Sequence, residues 1–295
     1  MSETSTATVL AGEQHREDMR TLGPRALRRS GVYALLLLGA AAMLFPFLWM
    51  LSTSLKQDFA LFVTPPKLIP SPLETKNYSR VGELMPIWRI LFNSVFVAVV
   101  STVLALLTSA MAAYAFARLR FRGRDALFFL YLATLMVPFQ VTIVPLFIEM
   151  KHLGLVNSYP GLILPTVASA FGTFLLRQQF LTLPRELEEA AFIDGAGHWK
   201  VFTRIVIPLG APALATFGIF AFMASWNSFL WPLVIINSQD LMTLPLGLAN
   251  LHGQYTTQWN LVMAGTTISV VPILVVYLFA QKYIVRGFVF SGIKG

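Results

Sequence analysis

The sequence predicts an all-α integral membrane protein of six transmembrane helices with both termini in the cytoplasm. Three observations carry that expectation. The first is composition: of 295 residues, 56% are hydrophobic and 12% charged, with mean hydropathy +0.67, whereas an ordinary soluble domain carries about 25% charged residues. The second is run length. A span needs roughly 20 apolar residues to cross about 30 Å of hydrocarbon, and residues 31–53, 91–117, 126–148, 160–180, 211–236 and 262–284 qualify. Each run is continuously apolar rather than alternating, which suits helices and not a barrel. The third is charge placement: of 22 Lys and Arg, sixteen fall before the first run or close or follow the second, fourth and sixth, and six fall on the other side. The positive-inside rule assigns the sixteen to the cytoplasm. The net charge of +8 is spread between apolar runs and forms no single patch, so no nucleic-acid partner is expected; membrane lipid surrounds the chain instead.

In chain order, residues 1–30 are polar, without an apolar run, and read as a disordered cytoplasmic tail. Arg25, Arg28 and Arg29 then precede the first run, which exceeds the ~7–15 residues of a signal-peptide core and ends in large residues, so it reads as a retained anchor. The outer loop from Lys56 to Trp88 is long and proline-rich. The third span carries Pro138, Gln140, Thr142 and Pro145, its prolines seven apart and on nearly one helix face, each able to bend a helix. Glu149 and Arg177 lie near span ends, where long side chains reach water. The fifth span carries "SWNSFLWPL", and the sixth carries Thr266, Thr267, Ser269 and Pro272. The second outer loop, Asn237 to Leu261, has aromatic and amide residues but no Lys or Arg. It suits either contact with a partner or sugar, or a plain membrane-interface loop.

The span centres hold almost no ionisable residue, which argues against a proton-coupled pump but leaves sodium coupling through broken helices open. Their polar residues suit interhelical hydrogen bonding or a path for a polar, uncharged solute. For the second reading Gln140, Trp226 and Asn227 are the candidates, because amides replace water around hydroxyls and aromatic rings stack on apolar sugar faces. Energy-coupling chemistry is not evident. There is no G-x-x-x-x-G-K-[ST] loop to cradle phosphates, no histidine spacing for a metal and no G-x-S-x-G elbow, and with no cysteine no thiolate site exists. The chain is not expected to be an enzyme.

The inner loop between the fourth and fifth spans contains "EEAAFIDGAGHWKVFTRIVIP". Thr182 offers a capping hydroxyl, Pro184 suits a first helical turn, Glu186, Glu188 and Glu189 favour its N-terminal dipole, and Gly195 suits a left-handed stop. The predicted helix runs from Pro184 to Asp194, with Leu187, Ala190, Ala191 and Asp194 on one narrow stripe. Arg185, Glu188, Glu189 and Phe192 lie mostly on the other side. A second piece, His198 to Ile207, places Val201, Phe202 and Ile205 in helical spacing. One reading is a surface hairpin on the membrane in which Glu189 pairs with Arg185, worth a few tenths of a kcal/mol; the other is a docking element.

That stretch resembles the EAA loop of permease subunits of bacterial ABC importers, whose pattern is E-A-A, three residues, G, nine residues, I, one residue, L-P. Glu189, Ala190, Ala191, Gly195, Ile205 and Pro208 stand at those spacings, with Ile207 where leucine is usual, and Asp194 and Ala196 match a frequent D-G-A. "WNSFLWPL" and the ending "QKYIVRGFVFSGIKG" are similar to the second six-span permease of carbohydrate importers of the maltose and glycerol-phosphate type. The likeness spans residues 31–295 and is strongest over 177–233 and the C-terminal end. The resemblance implies the type I ABC importer permease fold over 31–295, in a bacterial cytoplasmic (inner) membrane. It implies a coupling loop at about 182–208 docked on a cytoplasmic ATPase dimer, a homologous second permease, and an extracellular binding protein that delivers a sugar or sugar-like solute. Glu189 would meet a basic group of the ATPase, Ala190 and Ala191 would permit close docking, and Gly195 would make the turn. No cofactor is implied on this chain; ATP and Mg belong to the ATPase. The alternatives are a stand-alone channel or secondary carrier for a polar uncharged solute, and a membrane-bound interaction protein.

Overall fold

The computed structural model describes residues 31–251 and 257–292. The expected N-terminal tail, residues 252–256 of the second outer loop and the last three residues lie outside the described residues. Helix α1 (Gly31–Ser54) is apolar and none of its hydrophobic window is buried against the rest of the chain. A proline-rich connection leads to α2 (Lys76–Leu84) and then to α3 (Ile87–Arg118), the 32-residue central helix. On α3, Ala98, Ser101, Ala105, Ser109, Ala113 and Ala117 are buried and recur every three or four residues, so they share one face. Val99, Val103, Leu107 and Met111 remain exposed on the other side. Small side chains on the inner face let helix backbones approach closely, and α7 (Ala170–Leu181) and α11 (Ala211–Trp226) pack there. Gly172 is one such approach: a Cβ there would sit 2.1 Å from the ring of buried Phe217.

Six spans are present when bent helix pairs count as single crossings, but only Gly31–Ser54, Ile87–Arg118 and Trp259–Leu278 pass as single long apolar helices. The expected third span is two helices, Arg124–Met136 and Phe139–His152, meeting at 101°. We label the apolar parts α4 (Arg124–Ala133) and α5 (Phe139–His152). Pro138 lies at the break: the residue before a proline is pushed out of the helical region, and Val137 is extended at φ −87°, ψ 114°. Pro138 therefore caps α5 while Pro145 lies inside it, so the two prolines do not share one continuous helix face. The fourth span comprises Tyr159–Thr166, beginning with α6 (Tyr159–Ile163), and α7, bent by 44°; Ser169 caps α7 by accepting from the Gly172 amide at 3.0 Å.

The fifth run is also interrupted. After α8 (Arg185–Ile193) come α9 (His198–Val201), a π-helical turn Phe202–Val206 and α10 (Ile207–Leu209). Helix α11 leaves the segment His198–Leu209 at 78° and stops at Trp226, and α12 (Leu230–Ile235) restarts. Pro232 lies in the first turn of α12, where its missing N–H would have no helical partner in any case. A short helix α13 (Leu244–Ala249) precedes α14 (Trp259–Gly292), which contains Pro272.

Candidate functional site

The loop 182–208 folds as a helical hairpin fixed to the bundle's core. Helix α8 opens after Pro184, which has no side-chain cap; the Thr182 hydroxyl instead donates to Gln179 O (2.7 Å) and closes α7. The expected cap role of Thr182 is thus corrected: it ends one helix rather than starting the next. At the C-terminus, Asp194 caps the helix, Gly195 takes φ +78°, its amide donates to Phe192 O (3.0 Å), and the Ala196 amide donates to Ala191 O (2.9 Å). These two bonds satisfy the last carbonyls in the way a glycine stop allows.

The second arm inserts Val201, Phe202 and Val206 into a core with Tyr114, Ala117, Leu176 and Phe180. The π-helical turn carries one extra residue per turn. It brings Val206 to full burial, while Ile205 is half-buried and Pro208 exposed. Of the predicted stripe, Leu187, Ala190 and Asp194 are exposed, whereas Ala191 is half-buried and packs on that core. Glu189 is exposed and forms no ion pair among the described residues, so the local pairing with Arg185 is not made. Ile193 and Trp199 add large apolar surface, at 87% and 67% exposure.

Glu188, expected on the side away from that stripe, is turned into the protein. Its Oε1 lies 2.7 Å from Arg118 Nε, with the side chains 9% and 4% exposed. Burial pushes the Glu188 carboxyl above the usual carboxylate range, and the Arg118 guanidinium, then Arg185 and His198, pull it back. A terminal nitrogen of Arg118 also donates to Leu183 O at 2.7 Å. One turn earlier on α3, Tyr114 Oη meets His198 Nδ1 at 3.4 Å. Arg177 does not extend to water as expected. It donates to Phe116 O (3.2 Å), lies 4.1 Å over the Phe128 ring and is 3.8 Å from Asp125.

Nearer the middle of the bundle is a cavity of about 470 Å³ whose lining has no charged residue. Ser101, Thr166, Ser169, Ser225, Ser228 and Thr243 supply hydroxyls, and Phe171, Phe217, Phe220 and Trp231 supply rings. The hydroxyls of Ser101 and Thr243 are buried without hydrogen-bond partners among the described residues. Gln140, Trp226 and Asn227 do not line this cavity. Gln140 is exposed on α5, Asn227 turns its amide back to Met223 O (2.8 Å), and Trp226 is 2% exposed, stacked on Phe222 at 5.8 Å.

Residues 105–289 match the family described as binding-protein-dependent transport system inner membrane component. The arabinooligosaccharides transport system permease protein AraQ of Halalkalibacterium halodurans is 39% identical over 254 residues, 85% of this chain and 91% of the relative. The sn-glycerol-3-phosphate transport system permease protein UgpE of Salmonella typhi is 38% identical over 267 residues, 88% and 95% of the two chains. Among solved structures, a bacterial ABC transporter involved in import of the acidic polysaccharide alginate superposes with TM-score 0.77 at 27% identity, covering 87% of this chain and 96% of that one.

Proposed function

The chain belongs to the binding-protein-dependent transport system inner membrane components, and from that premise we propose that it moves a sugar or sugar-like solute, driven by ATP hydrolysed on a separate subunit. The observation that carries this reading is the hairpin. Its inner side is anchored in the bundle, and its outer side presents Glu189, Ala190, Asp194, Ile193 and Trp199 to the outside of the chain. In this reading the outer side docks on a cytoplasmic ATPase dimer that holds the ATP and Mg. Glu189 meets a basic group there, Ala190 gives the close approach, and Ala191, Ile205 and the Pro208 exit hold the hairpin's shape. A homologous second permease covers the outer surface of α1, and an extracellular binding protein delivers the solute at the other side of a bacterial cytoplasmic membrane.

Two observations support a sugar-like solute. The named relatives are permeases for arabinooligosaccharides and for sn-glycerol-3-phosphate. The cavity offers hydroxyls and rings without charge, a lining that exchanges hydrogen bonds with hydroxyls and stacks on sugar faces. Gln140 and Asn227 are the remaining path candidates. Trp226 is buried and has little surface for a solute ring, so its part in this proposal is to hold the helix end on which Asn227 stands.

The test is Gly195→Asp in the assembled importer. A non-glycine residue at φ +78° carries about 1 kcal/mol of strain, and the added carboxylate stands beside Asp194 on the docking face. The expected outcome is loss of uptake and of ATPase co-purification with membrane insertion retained. Normal uptake by this variant contradicts the docking role.

A further inference from the structure

The hairpin's grip on α3 has a counterpart at the other end of the same helix. On the cytoplasmic side, Arg118 and Tyr114 stand four residues apart on one face of α3 and take one arm each. Arg118 holds Glu188 (2.7 Å) and Leu183 O (2.7 Å), and Tyr114 meets His198 (3.4 Å). Arg118 Nε and Glu188 Oε1 are both buried and neither has a hydrogen-bond partner among the described residues, so their 2.7 Å contact is an ion pair in which each charge is compensated chiefly by the other. Such a pair resists separation, because parting it strands a charge away from water. At the outer end, Asn93 of α3 donates to Asp240 O (2.8 Å) and Met242 O (2.9 Å), and Ser94 Oγ accepts from the Leu244 amide (2.6 Å). Asn93 and Arg118 are separated by 25 helical residues, roughly 38 Å at 1.5 Å each, with no proline inside α3.

From this arrangement we infer that α3 is a strut between the hairpin and the outer segment 237–243, and that the Arg118–Glu188 pair is the latch that loads it. The inference rests on the docking role proposed above and assigns the positioning residues through which docking acts. Helix α8 lies between the turns at Pro184 and Gly195, and the latch makes a displacement of α8 a displacement of α3.

The test uses the assembled importer and needs no knowledge of the solute. The chain has no cysteine, so Gln239→Cys, exposed in the outer segment, takes a single environment-sensitive dye, provided that the partner subunits are used in cysteine-free form. The probe is ATP with vanadate, and the readout is the dye response per assembled complex. Glu188→Gln and Arg118→Gln are expected to lower that response by about two- to thirtyfold, the range over which residues between coupled sites shift an equilibrium. The exchange Arg118→Glu with Glu188→Arg is expected to recover it. Full response in both single variants overturns the latch, as does a loss confined to assembly with the response per complex unchanged, or an exchange that recovers nothing. Should the glutamine variants fail to assemble, Glu188→Asp keeps the charge and shortens its reach by one methylene; a parental response there likewise overturns the inference. A parent complex that itself gives no response to ATP sinks the docking role, whereas equal responses in parent and latch variants sink only the latch.

Discussion

Glu188 and Glu189 are adjacent, chemically identical and opposite in fate: one is buried against Arg118 and the other faces out unpaired among the described residues. Helical geometry separates neighbours by about 100°, so the two cannot both face the bundle squarely. Which one meets the bundle depends on the phase of α8 against α3, and that phase comes from tertiary packing. For the same reason the spacing of Glu189, Ala190, Ala191 and Gly195 was legible in the sequence, and the Arg118 partner, one of four arginines between 118 and 124, was not. Gly172 gives a residue-scale test of the α3–α7–α11 packing. Alanine normally gains up to about 1 kcal/mol over glycine within a helix, but here its Cβ would overlap the Phe217 ring at 2.1 Å. Phe217 is 2% exposed and has little room to yield, and overpacking of this kind costs about 1–3 kcal/mol. Gly172→Ala should therefore lower the thermal midpoint of the detergent-purified chain; an unchanged or raised midpoint would show that the ring moves aside.

At the scale of elements, the apolar runs located the spans because length and hydropathy are what the bilayer selects. The breaks were only half legible. Pro138 and Pro145 announced a bend, but the position of the 101° turn follows from Val137 being pushed out of the helical region while Pro145 is absorbed inside α5. The restart at α12 places Pro232 in a first helical turn, where its missing N–H costs no helical bond, although hydropathy alone makes 211–236 one continuous run. The hairpin's glycine stop was legible, since glycine takes a left-handed conformation without strain. The π-helical turn left no signal, because its extra residue is compensated by burial of Val206 in a core shared with other helices. On the hairpin's outer side, Ile193 and Trp199 are the large apolar groups. Buried aromatic anchors dominate interfaces, at about 2 kcal/mol or more each, so Trp199→Ala should weaken binding of the ATPase subunit about thirtyfold while leaving the chain's own melting temperature nearly unchanged. Unaltered ATPase affinity would move the docking surface elsewhere.

At the scale of the whole molecule, the proposed function makes the chain one part of a larger machine. Helix α1 buries none of its apolar window on its own bundle, the hairpin carries exposed hydrophobic residues, and the cavity holds hydroxyls without partners among the described residues. Each of these fits a part that other subunits and a solute complete. The expected orientation rests on the sixteen Lys and Arg on one side of the runs and the six on the other, because charge distribution across loops is a topological signal that needs no knowledge of packing. The measurement that tests the central claim most directly is solute accumulation in proteoliposomes, comparing this chain alone with the chain plus its second permease, ATPase and binding protein. The account predicts no flux from the chain alone and uptake by the full assembly that requires both ATP and the binding protein. Flux through the chain alone, independent of ATP, would contradict it and make the protein a channel or secondary carrier.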